Sequence, residues 1–529
     1  MHEQSIVKQT AKMLAFTVVS ILLCKITRGY FVPVFVLVGV LCACASKLGW
    51  ALVFYVLMPF FVILHPAVLP KANSIVGISL RVGPLLIGLV LAFIGGSRQG
   101  RHRLPFLGIT PFMVAALISS VDGWVPYVSY LKWVNYVVFL FGIWFGTQNL
   151  QHRPEDVFLF RSFFLALAVV VVFGSILLIP FPAISYATAL SNAIQEEGVE
   201  VAEEVLRTMK LEGVKTLFCG ITNHSQALGG AIVCLFPLVL SDMLFVERRF
   251  SALHVMLMVA MLPLIYMTRS RMALLAFMAS LLLLNYYTVR RVQIAANLRR
   301  KLRQGMLLAM ALMVLAAIGM QIHSGMLSQW LRKTDANAAD DRSLGEALTA
   351  SRMGLVEYSL WEFRRRPLIG SGFQVAENTR DRVRGQRGLV LSAAIEKGVL
   401  PVMVLGETGI LGSACFLFFL VSFYCACSRR KYFVTVTMFS VFLMTNMGEA
   451  TFFSPGGGGG ISWMICVVGG FTIDTLLLFR KSIETQWAQM GIQVTAPAWE
   501  VVEDRSGRKR LTESRPGVER YGLKMGRRG

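Results

Sequence analysis

Long runs of apolar residues, each close to the length of a bilayer crossing, constrain this chain more than any other feature. A membrane-spanning helix needs roughly 20 such residues, and about fourteen runs of this kind can be counted. Lipid offers no hydrogen bonds to the backbone, so the spans must be helices or a closed barrel, and runs without apolar–polar alternation indicate helices. The chain is accordingly 55% hydrophobic and only 16% charged. We therefore predict an all-α fold, a polytopic transmembrane helical bundle of about 12–14 spans. The predicted spans are 12–27, 31–45, 51–68, 81–96, 105–121, 127–148, 158–181, 225–247, 253–268, 272–288, 305–322, 398–425, 432–448 and 461–479.

Basic residues in the short loops set the predicted orientation. They cluster at 98–103, 248–249, 290–303 and 429–431, and all four loops fall on one side of the span count. Because short cytoplasmic loops are rich in Lys and Arg, that side is predicted to face the cytoplasm, together with both termini. The same rule accounts for much of the net charge of +22, so no nucleic-acid partner is predicted.

The chain is predicted to divide into a transmembrane domain, 1–480, and a basic cytoplasmic tail, 481–529. The tail is low in apolar residues, and its composition predicts disorder. On the outer side, the longest loop runs from 323 to 397. A structureless loop of this length is uncommon inside a compact domain unless it is functional.

The long outer loop contains an amphipathic stretch that predicts a helix near the membrane surface. Ser351 is placed as its N-cap, which puts Arg352 in the first turn. Apolar residues recur at helical spacing up to Phe363. Pro367 ends the pattern and is followed by Leu368-Ile369-Gly370-Ser371-Gly372-Phe373, a compact turn.

The tight turn Thr268-Arg269-Ser270-Arg271, between two predicted spans, places two arginines near the outer membrane surface. Ionisable groups at such a depth are costly and indicate a function. The alternative is that each arginine snorkels and anchors a helix end.

Two further polar positions lie at the outer ends of spans. Glu407, in Gly406-Glu407-Thr408-Gly409, is a carboxylate among apolar residues and needs a partner, for which the arginines are candidates; the alternative is a structural ion pair. His224 precedes span 225–247, and a lone histidine is more often structural than catalytic. No cluster with the spacing of metal ligands is visible, and neither a metal nor a cofactor is predicted.

In order and spacing, these segments resemble the O-antigen ligase and O-antigen polymerase family of bacterial membrane proteins. The resemblance covers about residues 215–425. It rests on the Thr-Arg-Ser-Arg turn, on Ser351-Arg352 with the Pro-Leu-Ile-Gly-Ser-Gly-Phe segment, and on Gly-Glu-Thr-Gly-Ile-Leu-Gly at 406–412. Each motif is short and degenerate, and their conjunction with the span pattern carries the resemblance.

The resemblance implies a fold like that of membrane-embedded glycosyltransferases with polyprenyl donors, and an enzyme of the bacterial inner membrane. Members transfer a glycan from polyprenyl diphosphate to a glycan or lipid acceptor on the outer face of that membrane, without a metal. Arg271 and Arg352 match arginines that hold the donor diphosphate, and Arg269 lies in the same turn. A guanidinium suits this role because it stays charged and binds phosphate oxygens bidentately.

The sequence departs from the family where ligase members carry a loop histidine that activates the acceptor. The stretch here reads Ala394-Ile395-Glu396-Lys397-Gly398. Glu396 is therefore a hypothetical base, if apolar surroundings raise its pKa; Glu407 and His224 are further catalytic candidates. Ligase and polymerase activity stay equally open.

Two alternative functions, neither of them enzymatic, are also considered for this sequence. A transporter or flippase for lipid-linked glycans predicts charged or broken helices at mid-membrane and an internal repeat, whereas the polar residues here cluster at outer helix ends. A structural scaffold explains the spans but neither the arginine turn nor the long loop.

Overall fold

A computed structural model describes most of the chain, and nearly all of what it describes is helical. The described residues are 2–65, 68–69, 74–96, 106–150, 154–181, 218–247, 251–291, 304, 344–375, 398–448, 450–455, 458–489, 499–503 and 509–513. The helices are α1 His2–Ile26, α2 Val32–Cys44, α3 Leu48–Ile63, α4 Ser74–Gly96, α5 Thr110–Val121, α6 Pro126–Leu150, α7 Pro154–Leu177, α8 Ser225–Ser241, α9 Ala252–Met267, α10 Arg271–Arg291, α11 Leu344–Arg365, α12 Leu400–Arg430, α13 Phe433–Asn446, α14 Gly458–Trp463 and α15 Gly470–Gln489. A 3₁₀ turn, Phe106–Ile109, precedes α5, and π-helical segments, Asp242–Glu247 and Met464–Gly469, follow α8 and α14.

Seven of the described helical segments are long and apolar enough to cross a membrane, as the composition predicts. They are Lys8–Ile26, Ile75–Ile94, Pro126–Gln148, Glu155–Leu177, Ser225–Glu247, Leu400–Arg430 and Gly458–Phe479, and six shorter apolar helices accompany them. Each of these thirteen helical segments overlaps one predicted span. The fourteenth predicted span, 305–322, lies outside the described residues. The chain is therefore a polytopic, all-α helical membrane protein in its described core.

Proline marks the starts of several helices in this bundle. It occupies the first turn of α2, α5 and α12, and Pro126 and Pro154 are the first residues of α6 and α7. The first N–H groups of a helix have no partner within it, so a residue without an N–H is tolerated there, and its fixed φ suits the first turn.

Large apolar side chains cover the outside of the bundle, as expected for helices that face lipid. On α4, Phe93 is 77% exposed, and α12 exposes Leu417 and Phe418. Inside, helices pack in pairs, among them α4 with α6, α1 with α7, α10 with α13 and α11 with α12.

Aromatic rings form the centre of the core beside the candidate site. Trp463 is fully buried, and its indole N–H donates to the carbonyl of Phe452 at 2.7 Å. The ring of Phe453 lies 5.0 Å from that of Phe452 and 5.3 Å from that of Phe373, between centroids. Rings at such separations are stabilised beyond the area they bury. The core thus reaches Phe373, which belongs to the long predicted outer loop.

The amphipathic helix of that loop begins earlier than the sequence predicts. It starts at Leu344, so Ser351 is inside α11 and is not its N-cap, and Arg352 is not in the first turn. Five of the seven residues from Leu344 to Ala350 are Leu, Glu or Ala, which are strong helix formers, and they outweigh the less favourable Gly345. The end is as predicted, because α11 stops at Arg365, shortly before Pro367.

Two compact units are distinguished, Met1–Asp474 and Thr475–Gly529. Within the tail, whose composition predicts disorder, the described residues include the end of α15, to Gln489, and two strands. These strands, β1 Trp499–Glu503 and β2 Lys509–Glu513, pair antiparallel with Val501 opposite Leu511.

Candidate functional site

Helix α12 is broken at Gly409, and the segment 367–374, called here the insert loop, fills the break. Gly409 has φ 64° and ψ −165°, so the helical ladder cannot continue through it. Four backbone hydrogen bonds join loop and helix: Ser371 N to Gly406 O at 2.9 Å, Gly372 N to Glu407 O at 3.1 Å, Ile410 N to Pro367 O at 2.8 Å and Leu411 N to Leu368 O at 3.2 Å. Unsatisfied backbone groups are costly in a membrane. The two motifs that the sequence suggests separately are therefore one structural unit.

Glycine is required on both sides of this junction. Gly370 has φ 76°, and a Cβ there would overlap the backbone of Glu407. A Cβ on Gly409 would overlap the carbonyl group of Leu368. The contact between loop and helix is thus a contact of backbone against backbone, which any side chain would block.

The carboxylate of Glu407 lies inside this unit and holds the loop. Glu407 is 1% exposed, and its Oε2 accepts a hydrogen bond from the N–H of Gln374 at 3.0 Å. Its own carbonyl also accepts from the hydroxyl of Ser119, at the end of α5. The side chain that the sequence marks as a catalytic candidate therefore anchors the insert loop in this structure.

A buried lysine holds the other side of the loop. Lys132 of α6 is 3% exposed, and its Nζ donates to the carbonyl of Gln374 at 2.8 Å. The hydroxyl of Ser129 donates to the carbonyl of Phe373, also at 2.8 Å. The backbone of Gln374, which has φ 55°, links Glu407 to Lys132, because its N–H donates to Glu407 and its carbonyl accepts from Lys132. Sequence reasoning missed Lys132, although a single lysine inside the apolar span 127–148 was the available signal.

The arginine turn lies at the start of α10. Arg269 adopts a left-handed conformation with φ 49°, and Arg271 is the first residue of the helix. The hydroxyl of Ser270 accepts from the N–H of Ala273 at 3.4 Å, as an N-cap does. The positive end of the α10 dipole and a partly buried guanidinium therefore lie at one point, which favours an anion.

The arginine turn packs against the start of α8. A Cβ on Gly229 would lie 3.1 Å from the Cβ of Ser270. His224 caps this end of α8, since its Nδ1 accepts from the N–H of Gln226 at 3.1 Å. This hydrogen bond gives His224 a structural role at the helix start.

The residues after α13 connect the arginine turn to α12 and α11. Gly448 packs on the side chain of Met272. Ala450 donates its N–H to the carbonyl of Gly398 at 3.0 Å, immediately before α12. Gly398 in turn lies against Leu355 of α11. Through these neighbours the arginine turn, the start of α8, α11 and the broken α12 meet at one end of the bundle.

Two predicted site residues lie wholly or partly outside the described part of the structure. Arg352 lies on α11, but its side chain is outside the described part of the structure, and Glu396 is outside the described residues altogether. Within the described ranges, no group of three or more His, Cys, Asp and Glu side chains is arranged to hold a metal ion.

A second polar cluster, which sequence reasoning missed, lies at the opposite end of α8. Arg161 of α7 contacts Asp242 through Nε at 2.6 Å and Nη2 at 2.9 Å, and it also pairs with Glu247. His254 of α9 approaches Asp242 with Nε2 at 2.8 Å. Arg161 and Asp242 are each 2% exposed. The charges inside the predicted spans 158–181 and 225–247 were the signal for this ion cluster.

Cys219, in the segment before α8, is buried and does not serve as a nucleophile at neutral pH. Burial raises the pKa of its thiol to about 12. The reactive form of cysteine is the thiolate, which this site disfavours.

Fold and site together define a polytopic helical membrane protein with a polar site at one end of the bundle. Comparison of the sequence with models of known protein families and with curated proteins gives no match.

Proposed function

We propose that this protein is a metal-independent glycosyltransferase of the bacterial inner membrane. In this proposal it moves an oligosaccharide or polysaccharide from a polyprenyl diphosphate donor to a glycan or lipid acceptor at the outer face, like O-antigen ligases and polymerases. One observation carries the proposal: Arg271 begins α10 in a capped turn with Arg269, beside the start of α8 and the segment leading to the broken α12.

The chemistry of this turn suits a diphosphate. A helix N-terminus presents free N–H groups and a positive dipole to an anion, and a guanidinium adds charge and bidentate donors. As the acceptor hydroxyl bonds to the anomeric carbon, the bond from that carbon to the diphosphate oxygen breaks, and its electron pair leaves with the diphosphate. Arg271, with Arg269 and Arg352, would stabilise that charge in place of a metal.

The other residues divide between positioning and proton transfer. Glu407 acts as a positioning residue, because its buried carboxylate fixes the insert loop. The acceptor proton needs a base, and Glu396 is our candidate from the sequence. His224 is assigned to capping α8.

Glycan profiling in cells tests the proposal. Arg271→Ala should abolish the transferred glycan and leave lipid-linked donor on the outer face. Arg81→Ala is the matched control, because Arg81 is an exposed arginine on α4, predicted to lie at the same membrane face. An unchanged glycan profile in Arg271→Ala, with the protein present in the membrane, would refute the proposal.

A transporter of lipid-linked glycans is the second candidate, and two observations favour it. Transporters use discontinuous helices, and α12 is broken at Gly409. They also pair charges inside apolar helices, as Arg161 of α7 does with Asp242 directly after α8. In that case the Arg271→Ala strain would accumulate donor on the cytoplasmic face.

A further inference from the structure

Two tryptophans from distant parts of the chain stack at the edge of the candidate site. Trp124 lies in the turn between α5 and α6, and Trp361 lies near the end of α11. Their ring centroids are 6.4 Å apart and their planes differ by only 6°. Tyr358, one turn earlier on α11, stacks on Trp361 at 5.6 Å. We call Trp124, Trp361 and Tyr358 the aromatic platform.

Two arginine guanidinium groups lie over rings of the aromatic platform. The Cζ of Arg365 lies 4.1 Å from the ring centroid of Trp361 and 5.9 Å from that of Trp124. Arg366 lies 5.7 Å from the ring of Trp124 and pairs with Asp122 at 3.2 Å. A guanidinium over an indole face is attracted to the ring quadrupole. These contacts hold both indoles in fixed orientations.

The platform is joined directly to the insert loop. The backbone N–H of Trp124 donates to the carbonyl of Ser371 at 2.9 Å. Gly123 packs on Gly372, where a Cβ on Gly123 would lie 2.8 Å from the Cα of Gly372. The aromatic platform is therefore fixed to the same unit that contains Glu407.

The indole N–H of Trp124 is buried, unlike that of a tryptophan that anchors a helix at the membrane interface. Its Nε1 is buried and has no hydrogen-bond partner among the described residues. Tryptophans at a membrane interface direct this N–H toward water and headgroups, and a buried indole N–H usually has a partner. An acceptor supplied by a bound molecule would satisfy it.

We propose that the aromatic platform is a saccharide subsite that binds one pyranose ring of the glycan substrate. One face of a pyranose is a layer of polarised C–H bonds, which fits the negative face of an indole, and its hydroxyl oxygens accept from an N–H. Fixed rings bind at a low entropic cost. The identity of the ligand as a glycan rests on the proposed function.

Initial rates test the subsite in purified protein with lipid-linked glycan extracted from host membranes. Trp361→Ala should raise KM roughly tenfold with little change in kcat, because ring stacking is lost. Trp361→Phe should keep KM within about threefold, since a ring remains. Tyr127→Ala is the matched control, because Tyr127 is a neighbouring exposed ring outside the platform, and it should leave both constants unchanged.

Direct binding separates this proposal from the proposed function. The probe is the glycan released from the same donor by mild acid, without lipid or diphosphate, and its binding is followed by saturation-transfer NMR in nanodiscs. The subsite predicts transfer to sugar C–H protons in the parent protein and in Tyr127→Ala, and its loss in Trp361→Ala. Equal signals in Trp361→Ala, or none in the parent protein, would overturn the subsite. Full transfer activity in Arg271→Ala would refute only the proposed function.

Discussion

The N–H of Ile410 donates to the carbonyl of Pro367 at 2.8 Å, across a break in a transmembrane helix. In an uninterrupted helix this N–H would bond to the carbonyl of Gly406, which instead accepts from Ser371. The insert loop therefore replaces part of the helix's own ladder. This exchange pairs backbone groups of the loop with those of the broken helix, which reduces the cost of placing a loop in the end of a membrane bundle.

Replacing Gly409 by alanine should destabilise the protein. The residue occupies a region of φ and ψ that essentially only glycine adopts, so the strain alone costs about 1–3 kcal/mol, and the new methyl would overlap Leu368. The melting temperature of purified protein in detergent measures the effect. The control is Gly77→Ala on α4, where a Cβ meets nothing within 4 Å and alanine should stabilise by about 0.5–1 kcal/mol. Equal melting temperatures for both variants would contradict the broken-helix geometry.

Substitutions of Glu407 should separate positioning from catalysis. Glu407→Gln keeps an oxygen that accepts from the N–H of Gln374, so the loop should stay in place and much of the transfer activity should remain. Glu407→Ala leaves that N–H without its acceptor, at a cost of about 1–3 kcal/mol, and activity should fall with stability. Transfer assays and melting temperatures on the same preparations check both. A stable but inactive Glu407→Gln would instead make Glu407 a catalytic residue.

The buried and the exposed ion pairs should respond very differently to loss of one partner. Arg161→Met removes the bidentate partner of Asp242, which is 2% exposed and keeps only the contact with His254 among those described above, and loss of one partner of a buried ion pair costs about 3–5 kcal/mol. Asp122→Asn breaks the ion pair between Asp122, which is 65% exposed, and Arg366, which is 35% exposed. It should lower the free energy of unfolding by less than about 1 kcal/mol. Thermal unfolding ranks the two variants. If Arg161→Met were as stable as Asp122→Asn, the ion cluster would not contribute to stability as described.

Cys219 should react with maleimide only at high pH in the folded protein. With its pKa raised to about 12 by burial, the thiolate fraction at pH 8 is on the order of one in ten thousand, rising tenfold per pH unit. Peptide mass spectrometry after short labelling at pH 7, 8, 9 and 10 gives this dependence. Cys44, which is exposed, serves as the internal reference. Rapid labelling of Cys219 at pH 7 would show that the segment before α8 is open to solvent.

The sequence predicts the spans well because a membrane helix is defined by local composition and length. The contacts that hold the site together cannot be predicted in the same way. Glu407 and Pro367 can be recognised as unusual, but their junction is made by backbone hydrogen bonds between distant segments, which leave no side-chain pattern. The stacking of Trp124 on Trp361 also cannot be predicted from the sequence, because it depends on how α11 packs against the other helices.

Charged residues inside apolar runs are a sequence signal for buried polar contacts between helices. Lys132 and Asp242 both lie in predicted spans, and both are held by specific partners in the structure. Their partners, Gln374 and Arg161, could not be predicted, since pairing across helices depends on packing. The start of α11 differs from the prediction because Ser351 suits a cap, while most residues before it already favour a helix.

Reconstituted transfer tests the central claim most directly. Purified protein in nanodiscs is given the lipid-linked glycan and an acceptor fraction from host membranes, and glycan release from the diphosphate is followed over time. Removal of a donor that stabilises developing charge lowers turnover by roughly 10²–10³-fold. Arg271→Ala should show such a loss, Arg271→Lys should recover part of the rate, and Arg81→Ala should turn over at the parental rate. Parental turnover in Arg271→Ala would show that Arg271 does not stabilise the leaving diphosphate.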